Sequence, residues 1–512
     1  MDNENPPASG PAPAPGLATA RSVALSALCD RAGNVTAHLK RLLEGHHLAP
    51  ADAALARELA LGTLRRQGTL DAVIDAFRRR GNQKGAPHRD TSRAGTPDLP
   101  ARIRAILRLG LYQVLFTQRV PAFAAVNETV NLVGRGQQHL RGFVNGLLRS
   151  VARDVGAVEV VGGTGFQPVQ AAEAQVGNLC HPKPAAELID RLGPQVLPVS
   201  PTALRRFARA VFPDPAADAE GYAASALSLP PELARRWMRR FGGLRGVLRL
   251  GLHANARPPL VLRVDLARAS VPQVLESLAA ADVPAVAHAN GQSVVVLKSV
   301  DVARLAPFQA GLAHPQDAAA TAVLAAAELL PGMAVLDLCA APGTKTVQAA
   351  YALAGQGRIV AADVSGEKLA LVEAACRRLS IGNVQTVLAE QVGSLEPGGF
   401  DLVLVDAPCS NTGVLARRGE ARWRFSPSGV EAIAKDQLHL LLLGGQFVRP
   451  GGRCVYSTCS LEPEENQQVA QGFLRRCRGF ELQREQLTLP AGADAPSAWT
   501  DGGYFAIFRR KA

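Results

Sequence analysis

Between residue 18 and about residue 156 the apolar positions recur three or four apart, the period of helices that bury one stripe. Ile103, Ile106, Leu107, Leu111, Val114 and Leu115 share a face, while Arg102, Arg104 and Arg108 fall elsewhere. Pro121 stands where a helix can begin, with Val126, Val130 and Val133 at suitable spacing behind it. A last helix is predicted over about 140–153, turning Phe143, Val144, Leu147 and Leu148 inward. The pattern predicts an all-α domain over 18–155 with arginines on its outside. Residues 1–17 are rich in Pro, Ala and Gly and are expected to form a flexible tail. Over 156–225 no period is sustained, which reads as a linker or insertion. A strand over 261–264, a helix over 271–280 and a strand over 293–296 predict a small α/β module of the βαβ kind within 226–306. From 307 to 512 short apolar runs alternate with helical patterns, the signature of a parallel sheet covered on both faces. Its strands are expected at 335–338, 358–362, 384–388, 402–405 and 453–456, and an antiparallel edge strand at the closing TDGGYFAIFRR. The fold class is thus multidomain: an all-α domain, a small α/β module and an α/β Rossmann-like domain.

Composition narrows this further. With 47% hydrophobic and 20% charged residues in 512, the chain is globular rather than disordered. A net charge of +12 favours a polyanionic partner. Eight cysteines show no CxxC pair or zinc-ligand spacing, which fits reduced thiols in a cytosol. The N-terminus lacks the basic and apolar regions of a signal peptide. No apolar run spans a bilayer, since the most apolar one, 321–341, carries Glu328, Pro331 and Asp337. A cytoplasmic protein without a membrane partner is expected.

Candidate chemistry gathers at the ends of the predicted strands. The strand over 335–338 runs into Cys339, Ala340, Ala341, Pro342, Gly343, Thr344 and Lys345, small residues that let a ligand approach the backbone and a helix N-terminus. Asp363, 20 residues past Gly343, can take ribose hydroxyls; alternatively it caps the helix near Gly366. Nicotinamide dinucleotides and S-adenosylmethionine both fit this arrangement, and the missing GxGxxG argues against the former. In FDLVLVDAPCS a buried strand ends in Asp406 and Cys409, and Cys459 ends the neighbouring strand 50 residues later. Both thiols are thereby placed at the carboxyl edge of the sheet, where such sheets bind ligands.

Several segments carry a resemblance. ELALGTLRRQGTLD, RAILRLGLYQVLF, VPAFAAVNETV and GFVNGLLR resemble the NusB-like helical domain at the front of one ribosomal RNA methyltransferase family, with an irregular Gly/Arg-rich interruption at about 81–97. This implies RNA binding. LDLCAAPGTKT resembles motif I of the Sun-type RNA 5-methylcytosine methyltransferases, usually CAAPGGKT, with Thr344 in place of the second glycine. The resemblance implies S-adenosyl-L-methionine as cofactor, lined by Cys339 to Lys345, with Asp363 on its ribose. Glu390 stands near the end of the strand over 384–388, where the family has an Asp on the adenine.

Cytosine carbon 5 is a poor nucleophile, so its methylation needs a thiolate added to carbon 6, a carboxylate at the ring-nitrogen edge, and a base to remove the carbon 5 proton. Spacing leaves open which thiol attacks, and Pro408-Cys409 even resembles the Pro-Cys nucleophile of DNA cytosine methyltransferases. VDAPCSNTGVL resembles Sun-type motif IV and VYSTCSLEPEEN motif VI, which implies Cys459 as nucleophile and Cys409 as the group that helps release product. Asp406 would orient and activate the base together with Lys345, and Asn411 departs from the family's usual small residue. RWRFSP, Gln437 and HPQDAAA are further matches. Together these imply a monomeric enzyme acting on small-subunit ribosomal RNA. The alternatives are a non-catalytic RNA-binding or antitermination factor, a transfer RNA methyltransferase and an NAD-dependent oxidoreductase.

Overall fold

The computed structural model describes residues 18–30, 34–79, 98–117, 120–161 and 188–512, so the tail at 1–17, the interruption at 81–97 and residues 162–187 of the stretch read as a linker lie outside it. The predicted face of Ile103, Ile106, Leu107, Leu111, Val114 and Leu115 is buried along the helix Ala101–Phe116. Gly110 lets that helix close on two others: a Cβ there would come within 2.8 Å of Thr129 and 2.9 Å of Leu148. Those neighbours belong to the helices Ala122–Val130 and Arg141–Asp154. With Ala20–Leu28, Val35–Gly45, Pro50–Arg65 and Gln67–Arg79 they make an all-α unit that comprises Met1–Ala157 and Arg206–Phe212. Its arginines are not all free on the outside. Arg104 and Arg108 converge on Asp71 at 3.1 and 2.6 Å, so one carboxylate of a neighbouring helix pairs with both.

The second unit holds Val158–Arg205 and Pro213–Ala512. Within it, the stretch read as a linker carries structure. Strands β1 (Glu159–Val160), β2 (Val196–Ser200) and β3 (Ala203–Arg206) pair in the order β1-β3-β2, and the helix Ala219–Ala226 follows. Tyr222, fully buried, donates its hydroxyl to the Val196 carbonyl at 2.9 Å. Strands of two to five residues are too short to establish a period among so many Gly, Pro and Ala. The helices Pro231–Arg240 and Gly243–Asn255 complete this core around Trp237 and Leu248.

The small module contains β4 (Leu260–Val264), the helix Val271–Ala280, β5 (Ala285–Ala287), β6 (Ser293–Val296) and β7 (Ala313–Pro315). Their order is β5-β6-β4-β7 and every pairing is antiparallel, so β6 lies between the two strands that the helix joins. The simple βαβ reading missed β5 and β7, three residues each, and β7 lies beyond residue 306.

The main sheet comprises β8 (Ala334–Asp337), β9 (Arg358–Asp363), β10 (Val384–Leu388), β11 (Phe400–Asp406), β12 (Val448–Thr458), β13 (Phe480–Thr488) and β14 (Gly503–Arg510), ordered β10-β9-β8-β11-β12-β14-β13. The first five are parallel and β14 is antiparallel to β12. Strand order reverses between β8 and β11, where open sheets of this kind form their ligand crevice. The closing strand β14 is internal rather than an edge. The edge is β13, FELQREQLT, whose largely exposed polar residues hide it from an apolar pattern. Pro450-Gly451-Gly452, which reads as a turn before the fifth strand, lies inside β12, with Gly451 at φ 76° and a register jump opposite Phe400 and Leu402.

Candidate active site

The cofactor loop grows directly out of β8. Leu338 N–H donates to the Leu404 carbonyl and Ala340 N–H to that of Ala362, both at 2.9 Å, which fixes the chain between β11 and β9. Gly343 then turns at φ 102°, where a Cβ would be strained and would meet Val372 at 3.3 Å. Thr344 opens the helix Thr344–Ala352 with no positive φ, so the glycine that usually stands there is not required by the backbone. Cys339 is a neutral lining group: burial pushes its thiol up to about 12, and Asp337, Asp406 and Asp363 add to the rise.

Asp363 ends β9 and accepts from Ala341 N–H at 3.2 Å and Ser365 N–H at 3.3 Å. The following helix, Gly366–Arg378, is capped by Ser365, whose hydroxyl accepts from Lys368 N–H at 3.3 Å. Capping is therefore not the task of Asp363. Its carboxylate keeps lone pairs beyond those two backbone donors, the set that ribose hydroxyls require, so the loop suits an S-adenosylmethionine nucleoside. Glu390 is exposed in the 3-10 turn Ala389–Ser394 after β10.

Where β11 and β12 end side by side, Asp406 pairs in register with Ser457, whose hydroxyl donates to Asp406 Oδ1 at 2.7 Å. Lys345 Nζ reaches the other oxygen, Oδ2, at 2.6 Å. Burial works against the Lys345 ammonium, but the charge and hydrogen bond of Asp406, with Asp337 and Cys459 nearby, outweigh it and raise the lysine above its ordinary value. The two thiols meet one turn further on, Cys409 Sγ lying 2.9 Å from Cys459 Sγ. That hydrogen bond, then burial, then the charges of Cys459 and Glu465, hold Cys409 well above the usual thiol range. Asn411, at φ 62°, joins the pair: its Oδ1 accepts from Cys459 Sγ at 3.3 Å and its Nδ2 donates to the Cys409 carbonyl at 2.7 Å. Cys459, Cys409, Asp406 and Lys345 are thus brought together.

Residues after Cys459 received no role from the sequence. Buried Glu465 accepts from Ser410 N–H at 2.7 Å, from the Ser410 and Ser460 hydroxyls, and from Gln437 Nε2 at 3.2 Å, tying motif IV to motif VI. Asn466 accepts from the Thr458 hydroxyl at 2.6 Å and donates to the Ser460 carbonyl at 2.9 Å, fixing both neighbours of Cys459. Both stand in VYSTCSLEPEEN, whose acidic pair close behind a thiol was the available signal. Beside the thiols opens a cavity of about 260 Å³ that includes Cys409, Asn411 and Phe425 in its lining. Among the described residues no group of three or more His, Cys, Asp or Glu could hold a metal ion, and no helix is long and apolar enough to cross a membrane.

Comparisons with known proteins bear on the family and the fold. A family model described as 16S rRNA methyltransferase RsmB/F matches residues 325–499. A NusB family model matches 18–153, and an RsmF/B-like methyltransferase ferredoxin-like domain matches 230–303. A probable ribosomal RNA small subunit methyltransferase B of Synechocystis sp. is 29% identical over 460 residues, covering 89% of this chain and 88% of the relative. A putative methyltransferase of Mycobacterium tuberculosis is 33% identical over 454 residues, 86% of this chain and 82% of the relative. The crystal structure of PH0851 shares the fold with a TM-score of 0.66 over 96% of this chain and 98% of that one, at 19% identity.

Proposed function

The chain belongs to the RsmB/F family of 16S rRNA methyltransferases, and from that premise we propose that it methylates carbon 5 of a cytosine in small-subunit ribosomal RNA through a covalent bond to Cys459. The observation that carries this reading is the meeting of two thiols, 2.9 Å apart, beside the Lys345–Asp406 pair at the mouth of the cofactor loop. S-adenosylmethionine, held by Cys339 to Lys345 and by Asp363, with Glu390 towards its adenine, supplies the methyl group.

Cys459 Sγ adds to carbon 6 as a thiolate, and the electron pair moved onto the ring makes carbon 5 nucleophilic. Asp406 faces the ring-nitrogen edge and stabilises the polarised base, its position held by Ser457 and Lys345. After transfer, carbon 5 must lose its proton so that the pair it leaves behind can expel Cys459 from carbon 6. Cys409 suits this late step. Its Sγ lies 2.9 Å from that of Cys459, so with Cys459 attached to carbon 6 it stands next to carbon 5, the adjoining ring atom. We place the enzyme in the cytoplasm, acting as a monomer.

Full-length protein incubated with small-subunit ribosomal RNA and S-adenosylmethionine tests the assignment. Cys409→Ser accumulates a denaturant-resistant protein–RNA adduct, and Cys459→Ser forms none. The opposite pattern exchanges the roles of the two thiols.

A further inference from the structure

The cavity beside the thiols shares Cys409 and Asn411 with the reactive cluster. The cofactor loop, Asp363, Asp406 and Cys459 do not line it. A cytosine undergoing methylation must sit between Cys459 and the methyl donor, so it borders this cavity only at the shared Cys409 and Asn411 and leaves the wall of Phe425 and Val430 to a different base. Its walls are of the kind that hold a single unstacked base. Phe425 and Val430 supply apolar surface, and the exposed Arg424 stands at the rim within reach of a phosphate. The Asn411 amide has two N–H donors, of which one serves the Cys409 carbonyl and the other can turn to an acceptor on a base edge.

The wall is also firmly built. Arg422, next to the rim, is fully buried, and its guanidinium bonds the Ser228 carbonyl at 2.9 Å, Asn255 Oδ1 at 2.9 Å and the Ala254 carbonyl at 2.7 Å. Burying a guanidinium is costly, and these three hydrogen bonds offset that cost while holding the segment Ala421–Arg424 in one place. Arg236 lies over the Phe425 ring at 5.9 Å and is itself held by Glu462 at 2.9 Å and Glu464 at 2.5 Å. Ser426 caps the long helix Pro427–Phe447 through Gly429 N–H at 3.1 Å, fixing the far side.

We propose that this cavity is a subsite for the nucleotide adjacent to the target cytosine, whose base leaves the RNA stack and packs on Phe425 with its edge against Asn411. The proposal rests on the RNA cytosine methylation argued above, and adds that the enzyme selects its target partly by the neighbouring base.

The test uses the full-length protein and a small-subunit ribosomal RNA fragment containing the cytosine that the wild type methylates, prepared intact or with an abasic residue on its 5′ or 3′ side. On one side the abasic RNA lowers wild-type kcat/KM roughly 10-fold, the loss expected when one base forfeits aromatic stacking. Phe425→Ala loses a similar factor on intact RNA, mostly in KM, and loses nothing further on the abasic RNA. Phe425→Trp restores the discrimination, which a merely structural role would not do, and unchanged S-adenosylmethionine binding by Phe425→Ala verifies that the domain is folded. Wild-type indifference to an abasic residue on both sides overturns the proposal, as do losses from variant and abasic RNA that multiply. A wild type that methylates no ribosomal RNA cytosine sinks the underlying functional reading instead.

Discussion

Asp337 ends β8 with its side chain 2% exposed, bonded through Oδ2 to the Thr346 hydroxyl at 2.8 Å. Its Oδ1 has no hydrogen-bond partner among the described residues. Burial drives its carboxyl up to about 7, with Asp406 adding to the rise while Thr346 and Lys345 oppose it. The folded-state value lies above that of an unfolded chain. The contribution of this group to stability is therefore complete below the ordinary carboxyl range and is lost as pH rises through about 7. Asp337→Asn, which copies the neutral form, is expected to be more stable than the wild type at pH 8.5 by about 3–4 kcal/mol, given 1.36 kcal/mol per pKa unit over the rise from 3.8 to about 7. At pH 5.5 about half of that advantage remains, because the penalty builds from the ordinary carboxyl range upward. Urea denaturation at the two pH values measures the difference, and a gap independent of pH contradicts the assignment. Activity falls in the variant at every pH if the carboxylate also shapes the cofactor loop.

At the level of elements, the site depends on how the ends of β11, β12 and β14 are laced together. Gly413 N–H donates to the Cys459 carbonyl at 2.9 Å, and its own carbonyl accepts from Gly502 N–H at 2.8 Å. A Cβ on Gly413 would lie 2.6 Å from the Gly502 oxygen and 2.8 Å from the Cys459 oxygen, both backbone atoms that cannot swing aside. Gly413→Ala is expected to cost about 1–3 kcal/mol, as overpacking does. It should also displace Cys459 and slow adduct formation far more than it weakens S-adenosylmethionine binding. Gly479→Ala, where nothing lies within 4 Å, serves as the control that leaves both unchanged. Thermal melts and adduct yields on the two variants decide it. The strands that carry these contacts differ in how plainly the sequence announced them. In β11, Leu402 to Val405 are all buried, so an apolar run marks the strand and its abrupt end marks the site. In β13 only Phe480 is buried, and pairing with β14, rather than any side-chain pattern, makes it a strand. The two cysteines were legible from their strands, whereas Glu465 was not, because its task is set by Ser410, Ser460 and Gln437 arriving from different parts of the chain.

Across the whole molecule, the N-terminal unit is not finished where its helices end. The segment Arg206–Phe212 belongs to it although it follows β1 and β2 in the chain. Phe207 is 3% exposed and packs on Phe77 with ring centroids 6.3 Å apart, while the Arg209 guanidinium sits 4.3 Å over the same Phe77 ring. Arg209 also bonds Asp154 Oδ2 at 2.6 Å, and Ala208 N–H donates to Asp154 Oδ1 at 2.9 Å, so the returning chain covers the last turn of Arg141–Asp154. A segment of seven residues is too short for a periodic pattern, which is why the sequence assigned it to a linker. Phe207→Ala removes an aromatic ring from that contact, and such truncations cost about 3–5 kcal/mol in a core. The expected result is a selective loss: amides of the helix Gln67–Arg79 exchange faster with deuterium, while those of β8 and β11 and the affinity for S-adenosylmethionine stay as in the wild type. Equal acceleration in both units would mean that they unfold together. No acceleration near Phe77 would remove the segment from the N-terminal core. A fragment ending at residue 157 should show the same weakness around Phe77, since it lacks the same ring, and adding back the stretch through residue 212 should cure it.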